Sequence, residues 1–124
     1  MGWEVLWVAL GGSIGAVVRY VLGVWIGSRI ATVFPFATFL INVTGSAALG
    51  LLIGTAESRG LPPFMRPLVA VGFLGAYTTF STFSYETLRL AEAGNLGTAL
   101  LYAGASLVTG LAAALAGLGA GRLL

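Results

Sequence analysis

The chain has 124 residues, of which 58% are hydrophobic and only 8% charged, with a mean hydropathy of +1.00 and a net charge of +2. That composition lies well outside the range of water-soluble domains and belongs to a lipid bilayer. It contains no Cys, His, Asp or Lys. Disulfides, thiolate or imidazole metal sites, triad-type nucleophilic catalysis and imidazole proton relays are therefore excluded by inventory, and an enzyme is not expected. Six arginines and four glutamates, mostly at segment ends, are too few and too dispersed for nucleic-acid binding.

A spanning helix needs about 20 mostly apolar residues. Four such segments follow in chain order, at approximately 4–27, 33–55, 67–90 and 97–121. The connections are short: SRIAT, then AESRGLPPFMRP with prolines that cannot continue a helix, then AEAGN with its turn residues. The fold expected is an all-α integral membrane protein, residues 1–124 forming a single transmembrane domain. The first segment has no basic start and is too long for a signal-peptide core, so it reads as a true span. Glycines spaced by four, at Gly11/Gly15, Gly23/Gly27, Gly50/Gly54 and Gly117/Gly121, predict close helix–helix packing, since hydrophobic burial does not drive association in lipid.

If the four spans alternate, Arg59, Arg66 and Arg122 lie on one side, and Arg29 and Arg89 on the other with Arg19 leaning the same way. Topology is fixed by an arginine and lysine excess on one side, and here there is hardly any. Insertion in both orientations is therefore expected, the alternative being a fixed topology set by weak cues, and dual insertion makes an antiparallel homodimer available about a two-fold axis in the membrane plane.

Polar groups inside the spans each require a partner or water. Thr38, Asn42 and Ser46 follow at i, i+4 and i+8 and share one helix face. They serve either as interhelical hydrogen-bonding groups or as a polar lining. In the third span, Gly72, Gly75, Thr78 and Thr79 predict a break at mid-membrane, the alternative being a continuous helix with hydroxyls bonded back one turn. A break frees carbonyls, and two copies meeting there would present an oxygen cage for a hard monovalent cation. After the break, Phe80 and Phe83 at i, i+3 are interleaved with Ser81, Thr82 and Ser84. Ring edges and hydroxyl donors make a neutral lining that favours an anion without trapping it; the alternative is ordinary core packing. Arg19 sits about 12 Å inside its span, facing a wet vestibule or snorkelling outward. Glu86 is its candidate partner or a second vestibule residue. Tyr102, Ser106 and Thr109 fall near one face of the last span, with interfacial anchoring the alternative for Tyr102.

GGSIGAVVRY (11–20), FATFLINVTGSAALG (36–50) and GFLGAYTTFSTFSYE (72–86) together resemble the Fluc (CrcB-type) fluoride channels, and the likeness in length and layout covers essentially the whole chain. The resemblance implies a passive fluoride channel of the cell inner membrane, built as an antiparallel dual-topology homodimer with two pores and a central structural sodium ion. It would export fluoride that accumulates when HF enters and ionises. On this reading Phe80 and Phe83 form an aromatic box, Asn42 is the pore amide, and Ser81 and Thr82 are hydroxyls of a polar track, with Tyr102 and Ser106 on the last-span side. Gly75 and Thr78 supply backbone carbonyls to sodium, and Arg19 is the vestibule arginine. Gly110 departs from the pattern, since the track in some relatives carries a hydroxyl there. The main rival is a small four-span, dual-topology, proton-coupled multidrug or cation antiporter, which needs a carboxylate deep in a span. The other is a non-transporting membrane scaffold, which leaves TTFSTF, Asn42 and Arg19 without a purpose.

Overall fold

A computed structural model describes residues 1–124 and is helical throughout, without strands. Helix α1 runs Gly2–Arg29 and α2 runs Phe36–Arg59. Helix α3 begins as a π-helical stretch, Arg66–Leu74, and closes with one α-helical turn, Gly75–Tyr77. Helix α4 is Phe80–Glu92 and α5 is Leu96–Arg122. Helices α1, α2 and α5 are each long and apolar enough to cross a membrane. Only 15 of 124 residues are buried, and large apolar side chains such as Leu6, Val17, Leu111 and Leu115 point outward. That is the distribution of a chain whose solvent is hydrocarbon rather than water.

The expected third span is interrupted within the predicted region, but not by its glycines. Gly75 is right-handed helical (φ −63°, ψ −34°), whereas Thr78 and Thr79 are extended (φ −82°, ψ 157° and φ −150°, ψ 118°). β-Branched threonine fits an extended backbone well. Gly72 instead allows α1 to approach: a Cβ there would lie 2.8 Å from the Val8 carbonyl. From the other side, Cβ atoms on Gly11 and Gly15 would collide with the carbonyls of Leu68 and Phe73. The π-helical widening of α3 was not foreseen in the sequence, and it lies along this α1 seam. Such widenings recur at functional positions in helices.

A second glycine seam joins α2 and α5. Cβ atoms on Gly50 and Gly54 would run into the backbone of α5 at Ala114 and Leu118, and those on Gly117 and Gly121 into α2 at Ala47 and Leu51. Three of the four predicted glycine pairs thus sit at helix crossings. The fourth, Gly23/Gly27, has nothing within 4 Å at Gly27 and only the tip of Ile41, at 3.9 Å, near Gly23. At the turn after α4, Gly94 (φ 85°) stands at the C′ position. Its N–H reaches the Ala91 carbonyl (3.1 Å) while that of Asn95 reaches Leu90 (2.9 Å), the paired bonds of a Schellman cap. This turn folds α4 back onto α5. At the opposite end of the bundle, Arg122 Nε donates to Glu57 Oε2 (2.6 Å) and Arg59 Nε to the carbonyl of Leu124 (2.7 Å), tying the last residues to α2.

Candidate functional site

The break between α3 and α4 is held from two sides. Asn42, on α2, takes both backbone groups of Thr79: its Nδ2 donates to the Thr79 carbonyl (3.0 Å), and the Thr79 N–H donates to its Oδ1 (2.8 Å). One amide thereby replaces the two hydrogen bonds that an extended residue forfeits when it leaves a helix. On the other side Arg19 Nε donates to the Ala76 carbonyl (3.0 Å), in the last turn of α3. A third tie joins the hydroxyls of Thr44 and Tyr77 (2.9 Å), with the Tyr77 ring stacked on Phe73 at 5.8 Å.

Thr79, one of the residues at which the sequence predicts the break, has a further role that its sequence position alone does not reveal. It is the N-cap of α4: its Oγ1 accepts from the Thr82 N–H (3.2 Å) and donates to Thr82 Oγ1 (3.1 Å), with Ser81 Oγ 3.4 Å away. The available signal was a threonine three residues ahead of another polar residue at the head of a helix. Ser81 and Thr82 accordingly cluster around the cap.

Because Thr78 and Thr79 are extended and the Thr79 N–H is taken by Asn42, the Gly75 carbonyl loses the donor that a continuous helix would have given it. Gly75 and Thr78 border an open cleft of about 360 Å³, lined also by Asn42, Ser46, Thr79, Phe80, Phe83 and Ser106. No charged side chain lines it. The Ser106 hydroxyl is buried and has no partner, an exception among buried polar groups that asks for a ligand or water. Ser46 Oγ donates to the Asn42 carbonyl (2.7 Å), and Gly110 lies opposite it. Thr109 is instead bonded back to the Ala105 carbonyl.

The rings of Phe80 and Phe83 are 6.0 Å apart and tilted by 48°. Phe80 is 80% exposed, so its side chain stands out from the chain's own surface. Phe83 leans on Tyr102 (5.1 Å), and Tyr102 meets Phe34 edge-on (5.4 Å, 80°). Tyr102 is completely buried and packs between Phe34 and Phe83. Its hydroxyl donates to Glu86 Oε1 (3.3 Å). Glu86 thus pairs with Tyr102, while Arg19 is held on a backbone carbonyl.

The structure brings Asn42, Phe80, Phe83, Ser106, Gly75 and Thr78 onto one neutral cleft and sets Arg19, Glu86, Ser81, Thr82 and Tyr102 around it. Backbone oxygens at the break, in a chain with no cluster of carboxylates or other metal-ligating side chains, have the chemistry that suits a hard monovalent cation. One chain offers too few of them to replace a hydration shell.

A family model described as CrcB-like protein, Camphor Resistance (CrcB), matches residues 6–118. A protein of Acidobacterium capsulatum named fluoride-specific ion channel FluC is 52% identical over 118 residues, covering 94% of each chain. Proteins of the same name from Magnetococcus marinus (46% identical, 98% of this chain and 99% of the relative) and Thermus thermophilus (45%, 90% and 88%) are similarly close.

Proposed function

The chain belongs to the CrcB-like family, whose model matches residues 6–118, and from that membership and the cleft we propose that it is a fluoride channel and not an enzyme. Its relatives carry the name fluoride-specific ion channel, and the cleft has the chemistry such an ion needs. Fluoride is small and strongly hydrated, so a pore must replace its water with donors and ring edges and still release it. The observation that carries the reading is the convergence of the Phe80 and Phe83 rings, the Asn42 amide and the unpartnered Ser106 hydroxyl on a cleft without a charged side chain. Fluoride would pass down its electrochemical gradient, out across the cell inner membrane, and internal fluoride would stay below toxic levels.

The single chain is half of the proposed channel. Helices α3 and α4 together form the fourth crossing, and two chains assemble antiparallel after inserting in both orientations, giving two pores. Support comes from the outward stance of Phe80, from a cleft that is open on one side, and from the near-equal distribution of arginines between the two loop sets. Gly75 and Thr78 of each copy would hold a structural sodium ion through their carbonyls, joining the two breaks at the dimer centre. Bound there, sodium would supply the positive charge that four converging carbonyl dipoles otherwise lack.

An antiporter coupled to protons needs a carboxylate where substrate binds. The cleft has none, and Glu86 is turned toward Tyr102. Halide efflux from liposomes without a proton gradient tests the reading. Wild-type protein is expected to release fluoride rapidly and chloride hardly at all, and Phe80→Ile to lower fluoride efflux at least about tenfold, equivalent to about 1.4 kcal/mol or more of lost stabilisation along the pore. Efflux of neither halide from wild-type vesicles would sink it; proton-driven uptake of organic cations would establish the antiporter instead.

A further inference from the structure

The cleft does not stop at the aromatic rings. A second cavity, of about 320 Å³, shares Ala70 with it and follows α2 for two further turns, from Leu49 in the first cavity to Ile53 and Ala56 in the second. It ends at Arg66, the only charged residue lining either cavity.

Arg66 is also the one arginine of six without a partner. Arg19 donates to Ala76, Arg29 lies over the Trp25 ring at 5.2 Å, and Arg59 donates to Leu124. Arg89 pairs with Glu92 (3.2 Å) and Arg122 with Glu57. Glu4 approaches Arg66 from the α1 side, where both line a third cavity, but its carboxylate is turned to the N-terminal amine (3.7 Å). An exposed, uncommitted guanidinium at the outer end of a neutral groove creates a positive potential at the mouth without placing a trapping charge inside.

We propose that Arg66 is the anion-gathering residue of this pathway, raising the local concentration of small inorganic anions at the outer end of the groove. The inference rests on the reading of the cleft as an anion pore. It differs from the assignment of Arg19 to that task, because Arg19 is engaged on the broken helix whereas Arg66 is free.

Attraction of this kind is erased by salt. Fluoride efflux from liposomes would be measured with fluoride well below saturation, ionic strength being adjusted with an impermeant organic salt. Arg66→Gln is expected to lower efflux about threefold at an ionic strength of about 10 mM, where the screening length is about 30 Å, and to match wild type at about 1 M, where it is about 3 Å. The preference for fluoride over chloride should not change. Arg66→Lys keeps the charge and should retain the wild-type salt dependence, and Arg59→Gln, at the same end of the bundle, should leave efflux unaltered. Equal efflux from Arg66→Gln and wild type at low ionic strength overturns the proposal. So does a deficit that persists at high salt, or an equal loss in Arg59→Gln. If wild type itself passes no fluoride at any ionic strength, the channel reading fails, which is a separate result.

Discussion

Replacing Asn42 with leucine is expected to abolish most fluoride efflux while leaving the chain inserted in the membrane. Leucine matches the volume but removes both hydrogen bonds to Thr79. An N–H and a C=O would then be stranded at membrane depth, at about 1–3 kcal/mol each. The chain can recover those bonds only by winding residues 78 and 79 back into a continuous helix, which would withdraw the freed carbonyls and swing Phe80 off the cleft. An opposing cost of about 2–6 kcal/mol on the broken form predicts a fall in efflux of at least about tenfold. Hydrogen exchange shows which form results: without its side-chain acceptor the Thr79 amide exchanges faster if the break persists, and keeps its protection if the helix rewinds. Asn42→Asp separates the contributions: it retains an acceptor for the Thr79 N–H but has no donor for the carbonyl, and its charge would repel an anion. Efflux within about twofold of wild type in Asn42→Leu would show that the amide does not hold the break. A fall in efflux with unchanged exchange at Thr79 marks the rewound helix, and a fall with faster exchange marks a break that persists without its tie.

The same residue shows how far the sequence could be read. Composition alone marked a bilayer protein, and the apolar runs located α1, α2 and α5 to within a few residues, since a 20-residue hydrophobic stretch has few other uses. The third run also pointed to a break, and Thr78–Thr79 lies inside the stretch singled out. What the sequence did not reveal is why it breaks there. Glycine and threonine together mark the weak point because both have low helix propensity, yet only the threonines leave the helix: Gly72 serves the α1 seam and Gly75 stays helical. The break is instead specified by a residue 37 positions away, Asn42, through paired backbone bonds. A long-range partner of this kind leaves no periodic trace. The π-helical start of α3, which packs against α1, leaves no periodic trace either. Ser106 and Phe80 were legible as types but not as states: spacing suggested a polar face and an aromatic pair, and only packing shows one hydroxyl unpartnered and one ring turned outward. Tyr102 was visible as a polar aromatic on the last helix, but its complete burial against Phe34 and Phe83 follows from the Gly94 turn that brings α4 onto α5.

Gly117→Val is expected to be the most damaging single change to the fold itself, with a second glycine two positions away as its control. A side chain at Gly117 would enter the Ala47 carbonyl and stand 2.9 Å from the Leu51 nitrogen, so what must yield is the backbone of α2. Backbone in a helix gives way only if the helices separate. Separation forfeits the close packing at Gly50, Gly54 and Gly121 along the same seam, and in lipid that packing is the principal attraction between helices. The cost is put at about 3 kcal/mol or more, the upper part of the range for overpacking, equivalent to about 10 °C of thermal stability for a chain of this size. Gly119 sits on the same helix with nothing within 4 Å. Gly119→Val therefore carries the same helix-propensity change without the collision, and should shift stability by no more than a few degrees. Both variants can be compared by heating detergent-solubilised protein and following the monodisperse peak on size exclusion. Equal losses would mean that propensity or lipid contact, not the α2–α5 seam, sets the stability. A large loss at Gly119 alone would place a second packing surface on the outer face of α5, where only lipid or another copy of the chain can reach. With the expected order, the seam also explains how the cleft keeps its shape: Ser46 on α2 and Ser106 on α5 border it together, so a wedge at Gly117 should reduce fluoride efflux from whatever protein survives purification.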